Sequence, residues 1–263
     1  MTNDVIKLWE ANKQHMRLLL DSGAFTNWKA GRDSSVERYT RFIKDLPIQP
    51  WRYFSLDRIG DPVITEQNQR YMTAQGLNPI PIFTRGTDPG EIEKLYETSD
   101  LVGIGVGVGS NNHLGYLKWM IKQNGGRPLH WLGVTNSSMI ASYKPYSCDA
   151  SSWETGGRYG SIPIYLGGGK FQTYRRAHAM TRPPEPGIWK VIRGYGFDPR
   201  DLQKEEHWRG GKSVSRRLGC ASWVRYALDV EEQFQTRVFL ALTTSQGLGL
   251  CLDAYSKDRK VAV

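Results

Sequence analysis

The 263 residues carry 35 Lys and Arg against 26 Asp and Glu, a net charge of +9, with 39% hydrophobic side chains. That is enough chain for one well-filled core, and α/β barrels of this size run as single domains. No stretch reaches the roughly 18 apolar residues of a membrane span, and the three cysteines, Cys148, Cys220 and Cys251, form no CxxC or Cys/His cluster, so neither a zinc site nor a disulfide framework is signalled.

Residues 4–15 read as a short amphipathic helix, followed by a first strand at Arg17–Leu20 and a Gly-containing turn, Asp21-Ser22-Gly23-Ala24-Phe25. Ser34 or Ser35 can cap a helix with Val36, Tyr39, Phe42 and Ile43 at helical spacing. A second strand is expected at Tyr53–Leu56, a helix near Val63–Gln75 ended by Gly76, and a third strand at Ile80–Phe83. A helix at Glu91–Thr98 then leads to a fourth strand, Leu101–Val106, with glycines at 103, 105, 107 and 109. That glycine series lacks the Gly-Lys-Ser/Thr of a phosphate loop and a proper dinucleotide fingerprint. His113–Gln123 reads as a helix, Leu129–Leu132 as the fifth strand, 136–142 as a short helix, Tyr146–Cys148 as the sixth strand and Ser161–Leu166 as a seventh. Residues 167–219 lose this rhythm and read as a basic insertion. Ala221–Leu242 reads as a long helix or a broken pair, within a helical part at 220–263. Strands alternating with helices imply a parallel sheet with crossover helices. The expected fold is an α/β chain forming one domain over 1–263, a TIM-like (β/α)8 barrel with an irregular last strand; a doubly wound open sheet is the alternative.

The start lacks an apolar run flanked by basic residues, so no signal peptide is expected. The widely spaced cysteines imply a reducing compartment. Arg and Lys cluster after residue 169, among them Lys170, Arg175, Arg176, Arg182, Lys190 and Arg193. Phe171, Tyr174, Trp189, Tyr195 and Trp208 lie between them. Charge suits phosphates and flat rings suit unstacked bases, so a nucleic-acid surface is expected there; by default such a run is a solvated face.

Three acids fall at predicted strand ends: Asp21, Asp57 and Asp149. Parallel α/β proteins keep their chemistry at the carboxyl ends of strands. A lone Asp-Ser-Gly ordinarily starts a turn, and Asp149 and Asp61 can each cap a helix; for Asp61 the cap is the expected reading. Cys148 reads as a small buried residue, with no activating His near it in sequence.

Taken in order, Asp21-Ser22-Gly23-Ala24-Phe25, Asp57, Gly103-Ile104-Gly105-Val106-Gly107, Leu132-Gly133-Val134 and Cys148-Asp149 resemble the motifs of the tRNA-guanine transglycosylase superfamily. The compact form is more similar to its DNA-guanine transglycosylases, found in phages and bacterial modification islands. The likeness covers roughly residues 17–160 and implies a barrel that exchanges guanine in a nucleic acid for a 7-deazaguanine base such as preQ0, in DNA or alternatively in tRNA. It further implies Asp149 as nucleophile and Asp21 as the acid moving protons to the leaving base and from the incoming one. Asp57, Gly103, Ile104 and Phe25 would bind the base; Arg158, Arg175 and Arg176 would meet the nucleic-acid backbone. No metal or other cofactor is expected, because the zinc site of the tRNA-acting relatives has no counterpart here. The cytoplasm (of a host, for a phage protein) would be the compartment, and a homodimer is one arrangement left open. The family's base-reading Gln is also missing, since Phe83-Thr84-Arg85-Gly86 occupies its place.

Base exchange breaks the bond between the sugar C1′ and the base through a transition state with positive charge on the sugar. A carboxylate on the opposite face stabilises that charge and then bonds to C1′. A second acid with a raised pKa can protonate the leaving base, and a third can accept paired donors from a guanine edge. A flipped guanine needs aromatic platforms, for which Phe25, Trp28 and Trp153 are candidates. Two other classes compete: a two-carboxylate nucleosidase or glycosidase, and a nucleic-acid-binding barrel without activity.

Overall fold

The computed structural model describes residues 2–105, 113–154 and 159–261. In chain order it contains α1 (Asn3–Asn12), β1 (Leu19–Leu20), α2 (Ala24–Lys29), α3 (Val36–Lys44), β2 (Arg52–Tyr53), α4 (Pro62–Ala74) and β3 (Ile82–Phe83). Next come α5 (Glu91–Thr98), β4 (Val102–Gly105), α6 (His113–Gln123), β5 (Leu129–Leu132), α7 (Ser137–Tyr143) and β6 (Ser147–Ala150). The remainder holds β7 (Ser161–Gly167), β8 (Lys170–Arg175), α8 (Arg176–Thr181), α9 (Pro186–Gly194), α10 (Val214–Phe234), β9 (Arg237–Leu240) and α11 (Ser245–Val261). The chain divides into two compact units. One comprises Trp9–Val134 and Pro145–Cys148; the other comprises Thr2–Leu8, Thr135–Lys144 and Asp149–Val263.

The first unit is α/β and its strands are parallel. β1 pairs with β2. A parallel bridge from Phe54 to Ile80 carries the pairing toward β3. β3 then pairs with β4, β4 with β5 and β5 with the start of β6. Each strand therefore lies beside its successor in the chain, and the helices between them act as crossovers. The parallel sheet of five strands has the order β3, β4, β5, β6, β9.

Side-chain caps set the helix starts. Ser35 Oγ accepts from the Arg38 N–H at 3.1 Å to open α3. Asp61 accepts from the Ile64 N–H at 3.0 Å to open α4, with Pro62 in the first turn, so Asp61 is a cap. α3 turns Tyr39 and Ile43 onto Ala24, Leu56 and Met72. A second cluster packs Phe54, Ile80, Ile82 and Leu101. Polar residues also enter this interior: His130 and Ser147 are fully buried, with Nδ1 and Oγ 2.8 Å apart.

In the second unit the expected seventh strand takes a different role. β7 pairs antiparallel with β8 in a separate two-stranded sheet, so Ser161–Leu166 belongs to a hairpin rather than to the parallel series. The turn between them, Gly167-Gly168-Gly169, has positive φ at all three residues (91°, 57° and 74°), which only glycine adopts cheaply. The helical part expected at 220–263 also needs correction. α10 stops where Gln235 turns left-handed (φ 59°), and the β-prone run that follows it forms β9.

The unit's core joins Ile162 and Ile164 of β7 to Ala179, Ile188, Ile192, Leu202 and Trp208. The rings of Tyr165, Phe171, Trp223 and Tyr226 interlock with centroids 4.8–5.4 Å apart. Of the aromatics read as a nucleic-acid surface, Phe171 therefore packs in this cluster, while Tyr174 and Trp208 are buried. Interior stability claims those rings, because fully burying one removes 150–250 Å² from water.

Candidate active site

Asp21 and Asp57 follow the ends of β1 and β2, two parallel neighbours, and the first unit brings them together. Ser22 links the two segments: its Oγ donates to Asp57 Oδ1 at 3.3 Å and accepts from the Ala24 N–H at 3.3 Å. Gly23 makes this tight entry into α2 with a φ of 73°. The far side is pinned by Asn68, whose Nδ2 donates to the Leu56 carbonyl at 2.9 Å. The Arg58 N–H donates to Thr65 Oγ1 at 2.9 Å, tying the loop after Asp57 to α4.

Burial, reinforced by the charge of Asp21, pushes the Asp57 carboxyl up to about 6; its own backbone N–H and Ser22 work against that rise. Tyr39 lies within the same field. Its hydroxyl donates to the Phe54 carbonyl at 3.0 Å. Burial, then Asp21, Tyr53 and Asp57, raise its pKa, so it remains a neutral donor. Sequence reading placed Tyr39 only on an apolar helix face and missed the Ser22 link; a polar hydroxyl on a core-facing position was the available signal.

Gly103 and Ile104 lie in β4, where both are buried and Ile104 is 0% exposed. A Cβ on Gly103 would meet Phe54 Cε1 at 3.0 Å, so ring packing alone demands glycine there. Phe25 and Trp28 sit one turn apart on α2, both roughly half exposed, with their rings stacked at 5.9 Å. Trp153 is not a platform: it is fully buried, and its indole N–H donates to the Ala241 carbonyl at 2.8 Å.

Asp149 opens the second unit's part of β6 and is half-buried, while its neighbours Cys148 and Ala150 are buried. Strand alternation turns its side chain to the opposite face from theirs. Arg175 and Arg176 are exposed where β8 passes into α8, and Arg176 pairs with Glu205 at 3.4 Å. Arg158, Val106 and Gly107 lie outside the described residues.

Among the described residues, no group of three His, Cys, Asp or Glu side chains is placed to hold a metal ion, and no helix is long and apolar enough to cross a membrane. No family model, no curated protein and no solved structure matches this chain.

Proposed function

We infer that this protein is a DNA-guanine transglycosylase, replacing guanine in DNA by a 7-deazaguanine, with its parallel strands closed into an irregular (β/α)8 barrel. One observation carries the reading: two acids at adjacent parallel strand ends share a serine-linked site in which one carboxyl titrates near 6. A structural turn or cap gains nothing from setting two carboxylates against each other, whereas base exchange uses one acid to move protons and a second to accept the guanine edge. The succession of strands in chain order is the winding a barrel requires, which supports that fold over a doubly wound sheet.

In this reading a carboxylate oxygen of Asp149 bonds to C1′ as the bond from C1′ to guanine N9 breaks. The electron pair leaves with the purine, which takes its proton from Asp21. The incoming base returns a proton to Asp21 from its own N9, attacks C1′ and releases the Asp149 carboxylate. Two displacements at C1′ retain configuration. Ionised Asp57 accepts the ring N–H and amino group of the guanine edge, and Phe25 with Trp28 offers an apolar face for it.

The test is base exchange. The protein is incubated with duplex DNA, or with tRNA, plus radiolabelled guanine or preQ0, and label is counted in polymer. Label entering DNA with the parent protein and none with Asp149→Ala is the expected result. Label in tRNA alone transfers the same chemistry to the other substrate. Release of free guanine without incorporation identifies a hydrolase instead.

A further inference from the structure

The chain's charge is unevenly placed. Residues 159–217 hold twelve Lys and Arg against five Asp and Glu, so this stretch carries +7 of the net +9. Several of these cations, Lys170, Arg175, Arg182 and Lys190, are exposed and make no ion pair among the described residues. Others are neutralised locally, such as Arg200 on Asp198 and Arg209 on Glu205. What remains outward is therefore net positive.

Two further features stand on the same elements. Tyr159, just before β7, is 77% exposed, the most exposed large hydrophobic side chain among the described residues. The next residue, Gly160, accepts from the Arg176 N–H at 2.8 Å, and Ser161 pairs with Arg175 across the hairpin. The tyrosine is thus fixed in sequence beside the two arginines at the hairpin's open end. Beyond them, β8, α8 and the start of α9 enclose a notch of about 80 Å³ lined by Gln172, Thr173, His178 and Arg182, with Glu185 also on its lining. The Tyr174 hydroxyl donates to the Arg182 carbonyl at 3.2 Å, which fixes the backbone carrying that guanidinium. Among the described residues Arg182 forms no ion pair with Glu185, although both line the notch.

We propose that this face of the second unit is a seat for single-stranded nucleic acid, with one unstacked base lying on Tyr159 and successive phosphates held by Arg175 and by Arg182 in the notch. An exposed ring beside unpaired cations is the combination such strands recognise: every base has a face to stack, and every phosphate a charge to neutralise. A duplex keeps its bases paired and leaves the ring without a partner. The proposal shares with the exchange reading the partner and the placing of Arg175 on its backbone, and it holds whether or not Asp149 is a nucleophile.

The experiment is fluorescence anisotropy with a labelled 12-nucleotide DNA strand and its duplex, read across a salt series on the full-length chain. The parent is expected to bind the strand more tightly than the duplex. Tyr159→Ala is expected to weaken the strand about ten-fold with an unchanged salt slope, and Tyr159→Phe to restore it. Arg175→Gln with Arg182→Gln is expected to flatten the log–log salt slope by about 1.4, at roughly 0.7 per phosphate contact, and the matching Lys pair to keep it. Circular dichroism and melting of each variant confirm folding. An unchanged slope in the folded Gln pair, or unchanged strand affinity in Tyr159→Ala, overturns the proposal. Exchange activity is measured in parallel: its absence with these binding results intact sinks the transglycosylase reading alone, and its presence with unaltered binding sinks this one alone.

Discussion

Asp57 is where residue-scale chemistry and stability pull in opposite directions. Its folded carboxyl holds a proton up to about pH 6, whereas the unfolded chain releases it near 3.8. The sign follows: the protonated group's contribution is fully present below pH 3.8 and is lost as the pH rises through 6. Above that, keeping the half-buried carboxylate ionised costs on the order of 1–3 kcal/mol after solvent screening. Asp57→Asn is therefore expected to be more stable than the parent at pH 7, with the difference closing by pH 4 in urea unfolding, and to lose guanine recognition. In the parent, base-exchange kcat/KM should fall as the pH drops through 6, because protonation removes the acceptor. Gly103→Ala tests packing alone. Its Cβ would press on the Phe54 ring at 3.0 Å, and a loss of about 1–3 kcal/mol is expected in thermal unfolding. Aspartates at strand ends were legible in the sequence because Asp-Ser-Gly breaks an apolar run. Which of them would hold a proton was not, since that depends on burial and on a neighbour 36 residues away. Asp57, expected only as a reader of the base, carries a raised pKa of its own.

At the scale of elements, several ranges were readable from periodicity: α5, α6 and β5 occupy their expected ranges. Strand partners were not. An apolar run such as Ser161–Leu166 states that it is extended, but only the three-glycine turn after it states that it folds back, and that turn was read as the start of an insertion. Aromatics in the basic stretch misled for a similar reason, since ring and charge alternate there to serve a core and a surface at once. Tyr159, the ring left outside, carried no local signal. A short 3-10 turn at Ser152–Glu154 joins α10 through a nearly buried ion pair, Glu154 with Arg216 at 2.9 Å, and the Arg216 guanidinium also lies over the Trp153 ring at 5.5 Å. Glu154→Gln should cost about 3 kcal/mol in denaturant unfolding, because the arginine is left without its counter-charge. Glu154→Leu combined with Arg216→Met should recover most of that.

For the molecule as a whole, neither compact unit is a continuous piece of chain. The polypeptide passes from one unit to the other between Cys148 and Asp149, inside β6. Residues 135–144 belong to the second unit, where the Thr135 carbonyl accepts from the Tyr226 hydroxyl at 3.1 Å and Ser137 Oγ donates to the same hydroxyl at 3.3 Å. A fragment spanning 149–263 therefore loses the partners of a fully buried tyrosine. It is expected to show helical circular dichroism without dispersed amide resonances, whereas the full chain gives a dispersed spectrum. A parallel α/β order was legible from the alternation of elements, because each crossover helix is long enough to carry its own periodicity. The division into two units was not, since nothing in composition changes at residue 148.

The turn Gly167-Gly168-Gly169 bears on how this protein would look to a saturation mutagenesis screen. Any side chain placed there meets three successive left-handed backbone positions, and at Gly169 a Cβ would also lie 3.0 Å from that of Ser137. At about 1–2 kcal/mol per position, most replacements would lower the folded population enough to be depleted. The exposed end of a hairpin would then register as intolerant as a catalytic centre. Only variants scored separately for abundance and for activity would reveal it as a constraint of backbone geometry.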